Sequence, residues 1–555
     1  MIKQVGNKKS RLKNIFFSNK RILNQFKNEF LFKRNKWTLF SLLVCILIFI
    51  PIALVALQFN NNTENWDHIQ HAVLSTYIFS TLVLVLTTAI LSTFIGVTCA
   101  WLVACCEFPG RKFFEWTLIL PLTIPTYIAA YSYYDLLEMF TPMMIWIRTN
   151  ISPESMIYFN DIMVYLVTAL VMTSVLFPYV YLSTRASFLM QGNQLIEAAK
   201  TLGHTPSNIF WKVALPMARP AIIAGLSLVV METLNDYGAV EYFGIPTFTI
   251  GIFRSWLGMN DMGSALKLSS YLLFFVFFIL YIEKYFRGQA KFHQKNDSSR
   301  TYSPNLLKRK YSILAISFCL LPLCLGFIIP ITRLLFWASS VSGRFFDVTF
   351  FQVISNSIGL ASISSILIVT LATILIFTSS YFQSKIVKVA NQFAILGYSM
   401  PGAVVAMGFL LIAGYINQSV GYLLTGTLIS LTFAYLVRFL AVAWQPIDSG
   451  MAKKCDQINQ ASRILGNSAI FSIFKLNLPL LKKSIIVAVL LIFVDIFKEL
   501  PLTLILRPFN FDTLATLTYD LNSQAQLHES AIPALLIILV TIPPIIFLNN
   551  QLDDR

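Results

Sequence analysis

The sequence predicts an all-α, polytopic membrane protein with about twelve transmembrane helices, arranged as two parallel six-helix repeats. Three features carry this reading: composition, the length of the apolar runs, and an internal repeat. Of 555 residues, 56% are hydrophobic and only 12% charged, whereas soluble domains run at about 45–50% and about 25%. That excludes a soluble enzyme, a disordered chain and a fibrous protein. The net charge of +16 is explained by where the cations sit and needs no nucleic acid. The seven cysteines, none at metal-ligand spacing with histidine, read as free thiols.

A helix needs about 20 apolar residues to cross a bilayer. Twelve runs qualify in order: 39–59, 73–104, 114–138, 162–184, 218–236 and 266–283, then 312–334, 352–380, 389–415, 420–446, 484–506 and 531–548. With both termini in the cytoplasm, 34 of the 42 Lys and Arg fall on that one side, as the positive-inside rule requires. The organisation is therefore a basic cytoplasmic tail (1–38), a first half (39–283), a cytoplasmic linker (284–311), a second half (312–548) and a short cytoplasmic C-terminus (549–555). In the tail, Leu12, Ile15, Phe16, Leu23, Phe26 and Phe30 stand at helical spacing among lysines. This fits a basic amphipathic helix on the inner leaflet or a disordered, topology-setting tail.

The repeat emerges when the halves are superposed at an offset of 263. Ala198 meets Ala461, Gly203 meets Gly466, Lys212 meets Lys475, Pro216 meets Pro479 and Phe248 meets Phe511, with no gap over 197–256. Upstream the offset becomes 276, so that Pro125 meets Pro401 and Ser80-Thr81 meets Asn356-Ser357. Six spans per unit keep both units in one orientation and put a pathway between them.

The loop between the fourth and fifth spans occurs twice on the positive side. In the first copy, Glu197-Ala198-Ala199-Lys200 is a strong helix former. Gly203 suits a left-handed C-cap, and Thr205 caps a second helix that Pro206 opens and Pro216 ends. Two short helices at an angle are expected on the membrane face. Four carboxylates repeat as well: Glu232 and Asp236 stand four apart on the fifth span, and Asp495 and Glu499 repeat them on the eleventh. Charges inside spans face a cavity or a partner, and hard oxygen donors suit a hard cation. These acids read either as pathway groups or as helix-ending and ion-pairing groups beside Lys498 and Arg507. Tyr127 and Tyr131, with Tyr133, Tyr134, Asp135 and Glu138, read either as pathway donors or as an interfacial aromatic belt. Arg438, within the tenth span, is expected to face the interior or an acid.

The pattern Glu-Ala-Ala, three residues, Gly, eleven residues, Leu-Pro resembles the cytoplasmic loop of permease subunits of binding-protein-dependent ABC importers. Glu197, Ala198, Ala199, Gly203, Leu215 and Pro216 carry the first copy. Gln460, Ala461, Ser462, Gly466, Leu478 and Pro479 carry the second, where Gln460 departs from the glutamate. The resemblance implies a type I ABC importer permease fold. It also implies that these loops are coupling helices docking two copies of a cytoplasmic ATPase, with a charged contact from Glu197. Further stretches are similar to fused ferric-iron permeases: Lys498-Glu499-Leu500-Pro501, Leu506 to Thr516, Ile124-Pro125-Thr126-Tyr127 with Tyr131, and Met231-Glu232 with Asp236-Tyr237-Gly238. The resemblance implies ferric iron delivered by a periplasmic binding protein across a bacterial inner membrane. Fused thiamine permeases share the architecture.

The chain has no Gly-Lys dipeptide and hence no phosphate-cradling loop. The expectation is a transport subunit rather than an enzyme, binding no cofactor, metal or nucleic acid, with ATP held by the partner subunit. A major-facilitator-type carrier also has six plus six spans and a basic linker, but has no need of two docking loops. No filter motif supports a channel.

Overall fold

A computed structural model describes residues 35–60, 63, 65–133, 138–287, 305–341, 347–421 and 424–553. The tail helix, most of the linker, Tyr134 and Asp135 lie outside the described residues, as do the side chains of Glu138, Glu197 and Ala198.

The first repeat is built from α1 (Lys36–Leu57), α2 (Leu74–Cys105), α3 (Thr126–Ser132), α4 (Pro153–Thr201), α5 (Leu215–Asn235), the short α6 (Gly238–Tyr242) and α7 (Met262–Arg287). The second contains α8 (Arg309–Leu323), α9 (Val348–Phe382), α10 (Gly402–Val420), α11 (Leu428–Lys454), α12 (Asp456–Ile464), α13 (Leu478–Phe497), the short α14 (Pro501–Leu506), α15 (Leu514–Ser523) and α16 (Leu527–Asp553). Among the described residues, ten helices are long and apolar enough to cross a membrane.

The third expected span, 114–138, is not one helix. Its pieces Arg111–Thr123 and Thr126–Ser132 meet at 93°. Pro125 lacks an N–H and pushes the residue before it out of the helical region; Ile124 accordingly takes ψ 116° and Pro125 itself ψ 145°. The second repeat breaks in the same way: Pro401, at ψ 141°, separates Lys385–Ala394 from α10. The expected 389–415 run is therefore not one continuous helix. Hydropathy passes through both breaks because proline interrupts hydrogen bonding and not apolarity.

The chain forms two compact units, Met1–Ala53 with Ser362–Tyr398 and Thr432–Phe493, and Leu54–Ala361 with Ser399–Leu431 and Val494–Arg555. Each unit draws on both sequence halves. In the smaller unit, α1 packs on second-repeat helices. Trp37 meets Phe377 edge-on at 5.9 Å and Phe49 meets Phe393 at 5.7 Å. The Cys45 thiol donates to Asn391 Oδ1 at 3.3 Å, and Asn391 Nδ2 donates to the Leu375 carbonyl at 3.2 Å. Arg438 is buried in this unit, its guanidinium 5.1 Å from the Phe439 ring, as an intramembrane cation facing protein should be.

In the larger unit, α2, α4 and α5 pack against one another around a small-residue seam that includes Ser80, Thr88, Ser92, Thr173 and Gly225. Small residues let backbones approach closely where lipid offers no hydrophobic driving force between helices. The second-repeat segment that begins with α8 joins this unit through Gly326, where any β-carbon would collide with the Ser174 carbonyl. Tyr133 donates its hydroxyl to the Leu325 carbonyl, which fixes the same segment to the end of α3.

Candidate functional site

The two repeated loops share one backbone plan, each within its own unit. α4 runs unbroken to Thr201, and Gly203 then adopts φ +79°. Gly466, 263 residues on, adopts φ +77° at the end of α12. Left-handed backbone is nearly free for glycine and strained for other residues. A hydroxyl then caps the next turn: Thr205 Oγ1 accepts from the Asn208 amide at 3.4 Å, and Ser468 Oγ from the Phe471 amide at 3.2 Å. Both loops continue through a wide π turn, Phe210–Ala214 and Ser472–Asn477. They then enter α5 and α13 at Leu215 and Leu478.

Two expectations are corrected here. The first arm of the first loop is the last turns of the 49-residue α4 and not a separate short helix; only the second repeat separates its arm, at Cys455, between α11 and α12. Pro216 and Pro479 also do not end a helix. They sit at the second positions of α5 and α13, and the preceding π turn absorbs the missing donor.

Exposure repeats as closely as geometry. Leu202 and Leu465 are each 78% exposed, and Trp211 and Phe474, also 263 apart, are 64% and 63% exposed. Ala199 and Ser462, Ile209 and Ser472, and Ala214 and Asn477 are buried pairs at that offset, while Gln460 and Ala461 lie open. Bracing differs. The first loop leans on aromatics, with Trp101 5.1 Å from Phe210. The second is tied by polar groups: Ser462 Oγ to Ser472 Oγ at 2.8 Å, Arg463 Nη1 to the Tyr381 carbonyl at 2.9 Å, and Asn477 Nδ2 to Asn459 Oδ1 at 2.9 Å.

At the other end of α5, the repeated acids turn onto backbone. Asp236 is buried and accepts from the amides of Ala239 and Val240 at 3.0 and 3.1 Å and from the Thr126 hydroxyl. Glu499 is buried and accepts from the amides of Leu502 and Thr503 at 3.1 and 3.0 Å and from Thr503 Oγ1 at 2.9 Å. Each thereby satisfies the orphan donors at the start of a short helix, α6 or α14. Asp495 pairs with Lys498 at 3.3 Å, and Glu232 is half-buried on α5. Arg507 pairs with Asp512 at 2.6 Å and Asp520 at 2.9 Å and not with the four repeated acids.

Tyr127 and Tyr131 are not a lipid-facing belt. Both are buried, at 3% and 2% exposure. Gly238 makes room for Tyr127: a β-carbon there would lie 2.6 Å from Tyr127 Cβ. The Tyr131 ring packs 5.1 Å from Tyr242. Beside them stands a cluster that sequence spacing did not single out. Tyr237 donates to Glu241 Oε1 at 2.8 Å, Tyr519 donates to Glu241 Oε2 at 2.6 Å, and the two hydroxyls lie 3.2 Å apart. Tyr237 appears in the sequence only as part of the ferric-permease stretch, and a 278-residue separation gives Glu241 and Tyr519 no local signal.

The register of the repeat is corrected at the same end. Phe248 donates its amide to Thr81 Oγ1 at 3.3 Å, and Leu514 donates to Ser357 Oγ at 2.7 Å. Thr81 and Ser357 are partners at the 276 offset, so Leu514, and not Phe511, occupies the position of Phe248. The second repeat carries three extra residues in its Arg507–Asp512 turn, where Asn510 takes φ +57°.

Residues 92–286 match the family described as binding-protein-dependent transport system inner membrane component. That stretch of the first repeat carries the domain of this importer family. The chain is 25% identical over 478 residues to the Fe(3+)-transport system permease protein FbpB 2 of Haemophilus influenzae, covering 85% of this chain and 89% of that one. It is also 26% identical over 207 residues to the sulfate transport system permease protein CysT of Salmonella typhimurium, covering 36% and 71%. A probable sulfate permease of Marchantia polymorpha is 28% identical over 239 residues, covering 41% and 78%. The permease family and the long apolar helices together make this a multi-pass membrane protein.

Proposed function

We propose that this permease provides the pathway by which an ATP-driven importer moves ferric iron, handed over by a periplasmic binding protein, across a bacterial inner membrane. Two copies of a cytoplasmic ATPase dock on the two repeated loops, one on Gly203 and its flanks and one on Gly466 and its flanks. Both termini lie on the ATPase side. The observation that carries this reading is the doubled loop: the same left-handed glycine, the same hydroxyl cap, the same wide turn and the same exposed apolar pair. An unpartnered connector has no reason to keep Leu202 and Leu465, or Trp211 and Phe474, at matched exposure. Large exposed apolar groups at matched sites mark a partner surface. The loop is rigidly joined to α5 or α13, so closure of the ATPase pair would transmit to the spans. Glu197 supplies a charge at the first dock, and Gln460 leaves the second without it.

Ferric iron is favoured because the similarity to an iron permease runs through both repeats and because the far end of α5 gathers hard oxygen donors. Sulfate is the second reading, favoured by the sulfate permeases among the relatives. An acid- and phenol-rich end suits a cation better than a divalent anion. Uptake of radiolabelled iron and of radiolabelled sulfate, in cells with and without this chain and its ATPase, decides between them. Iron uptake that depends on both proteins supports the reading, and sulfate uptake alone overturns the iron assignment.

A further inference from the structure

We infer that Tyr237, Glu241 and Tyr519 form a capture site for Fe(III) at the end of the permease opposite the first ATPase-docking loop. The inference rests on the iron reading above and assigns it to particular atoms. Four oxygens form a compact ring: the Tyr237 hydroxyl lies 2.8 Å from Glu241 Oε1, the Tyr519 hydroxyl 2.6 Å from Glu241 Oε2, and the two hydroxyls 3.2 Å from each other. Oxygen ligands about 2.0 Å from a small octahedral cation stand about 2.8 Å from their cis neighbours, and each of the three contacts lies near that spacing. Phenolate and carboxylate are hard donors suited to Fe(III).

The surroundings support capture rather than permanent residence. Tyr237 is held by stacking on Phe253 at 3.8 Å, Tyr519 is half-buried, and the Glu241 side chain is exposed, which leaves the ion open to ligands that it brings with it. Arg507, in the segment leading to α15, is compensated by Asp512 and Asp520. The site also has a single copy. At the repeat offsets Leu500 stands for Tyr237, Leu504 for Glu241 and Phe253 for Tyr519. One ion is therefore taken at a time, in a site to which both repeats contribute. On capture, two phenol–carboxylate hydrogen bonds are exchanged for oxygen–iron bonds, and the two phenolic protons leave to solvent. Iron stays Fe(III) throughout.

The test uses the full chain in detergent titrated with ferric citrate. Capture gives a visible phenolate-to-Fe(III) charge-transfer band with release of two protons per ion. Tyr237→Phe or Tyr519→Phe should each remove about half the band, the double variant should abolish it, and Glu241→Gln should weaken iron affinity tenfold or more. Tyr158→Phe, at an exposed tyrosine elsewhere, should leave the band intact. Absence of the band in the wild-type chain, or a band that survives in the double variant, overturns the site. Labelled-iron uptake is measured in parallel: uptake without a band refutes the site and leaves the iron reading standing, whereas loss of the iron reading appears as failed uptake.

Discussion

The two ends of α5 and α13 age differently under duplication. At the loop end, the glycine dihedrals agree within 2°, at +79° and +77°, and the exposures of Leu202 and Leu465 and of Trp211 and Phe474 match. At the far end the copies have drifted apart. One short helix is opened by aspartate and the other by glutamate, a three-residue insertion lengthens the second turn, and the tyrosine–glutamate cluster has no second copy. The difference teaches what each end answers to. On the proposed reading, a loop that docks one of two identical ATPases has to present the same shape twice, and an end that receives one ion at a time is under no such demand.

Breaking the symmetric end should give the largest effect. Replacing both Gly203 and Gly466 with valine forces a β-branched residue into left-handed backbone, at a cost of about 1–2 kcal/mol or more per site. No atom lies within 4 Å of a β-carbon at either position, so the damage comes from loop shape and not from collision. Substrate-stimulated ATP hydrolysis should fall more than tenfold in reconstituted complexes while membrane insertion, followed by protease protection, is unchanged. Full coupling in the double variant would remove the docking role.

The next effect sharpens the far end. Asp236→Ala and Glu499→Ala each strand two buried amides and should lower stability by about 2 kcal/mol, read as a fall in the thermal midpoint of the detergent-solubilised chain. Asp236→Asn should retain most of it, because an amide oxygen still caps. Labelled-iron uptake by the Asp236→Asn variant, alongside Glu232→Gln and Asp495→Asn, then isolates charge from capping. Normal uptake in all three would take these acids out of the pathway.

A smaller effect tests the repeat register. Thr81→Val and Ser357→Ala each delete the acceptor for one helix-opening amide, and each should cost about 1 kcal/mol. Equal losses support the equivalence of Phe248 and Leu514. A loss at one site only would argue for the ungapped register.

The smallest effect is a pH dependence at Asp261, just ahead of α7. Burial pushes its carboxyl upward, but bonds from the Ser264 amide and hydroxyl and from Asn65 Nδ2 outweigh it and hold the group below the ordinary value. A depressed carboxyl stabilises the fold above its unfolded value near 3.9, and that stability is lost as pH falls through the folded value. Asp261→Asn should flatten the loss of thermal midpoint between neutral and acid pH.

Much of this was legible in the chain. The αL glycines, the Thr205 cap and Pro206 at its helix start announce themselves because capping is local chemistry. The offset of 276 correctly paired Pro125 with Pro401. What could not be read had non-local causes. Phe511 matches Phe248 in type and so concealed the insertion. Apolar runs gave no hint of the 93° bend. Tyr127 and Tyr131 resemble interfacial aromatics until Gly238 is seen to let α6 press against them. Glu241 and Tyr519 meet only because folding brings opposite repeats together.

The exchange of helices between sequence halves has a consequence for biogenesis. α1 finds its polar partner, Asn391, 346 positions downstream of Cys45. At about 5–20 residues per second, translation needs roughly 15–70 s to deliver that partner. α1 therefore reaches this partner only after most of the chain has been made. Carrying both repeats on one polypeptide guarantees that the awaited surface arrives, in the right number and the right membrane.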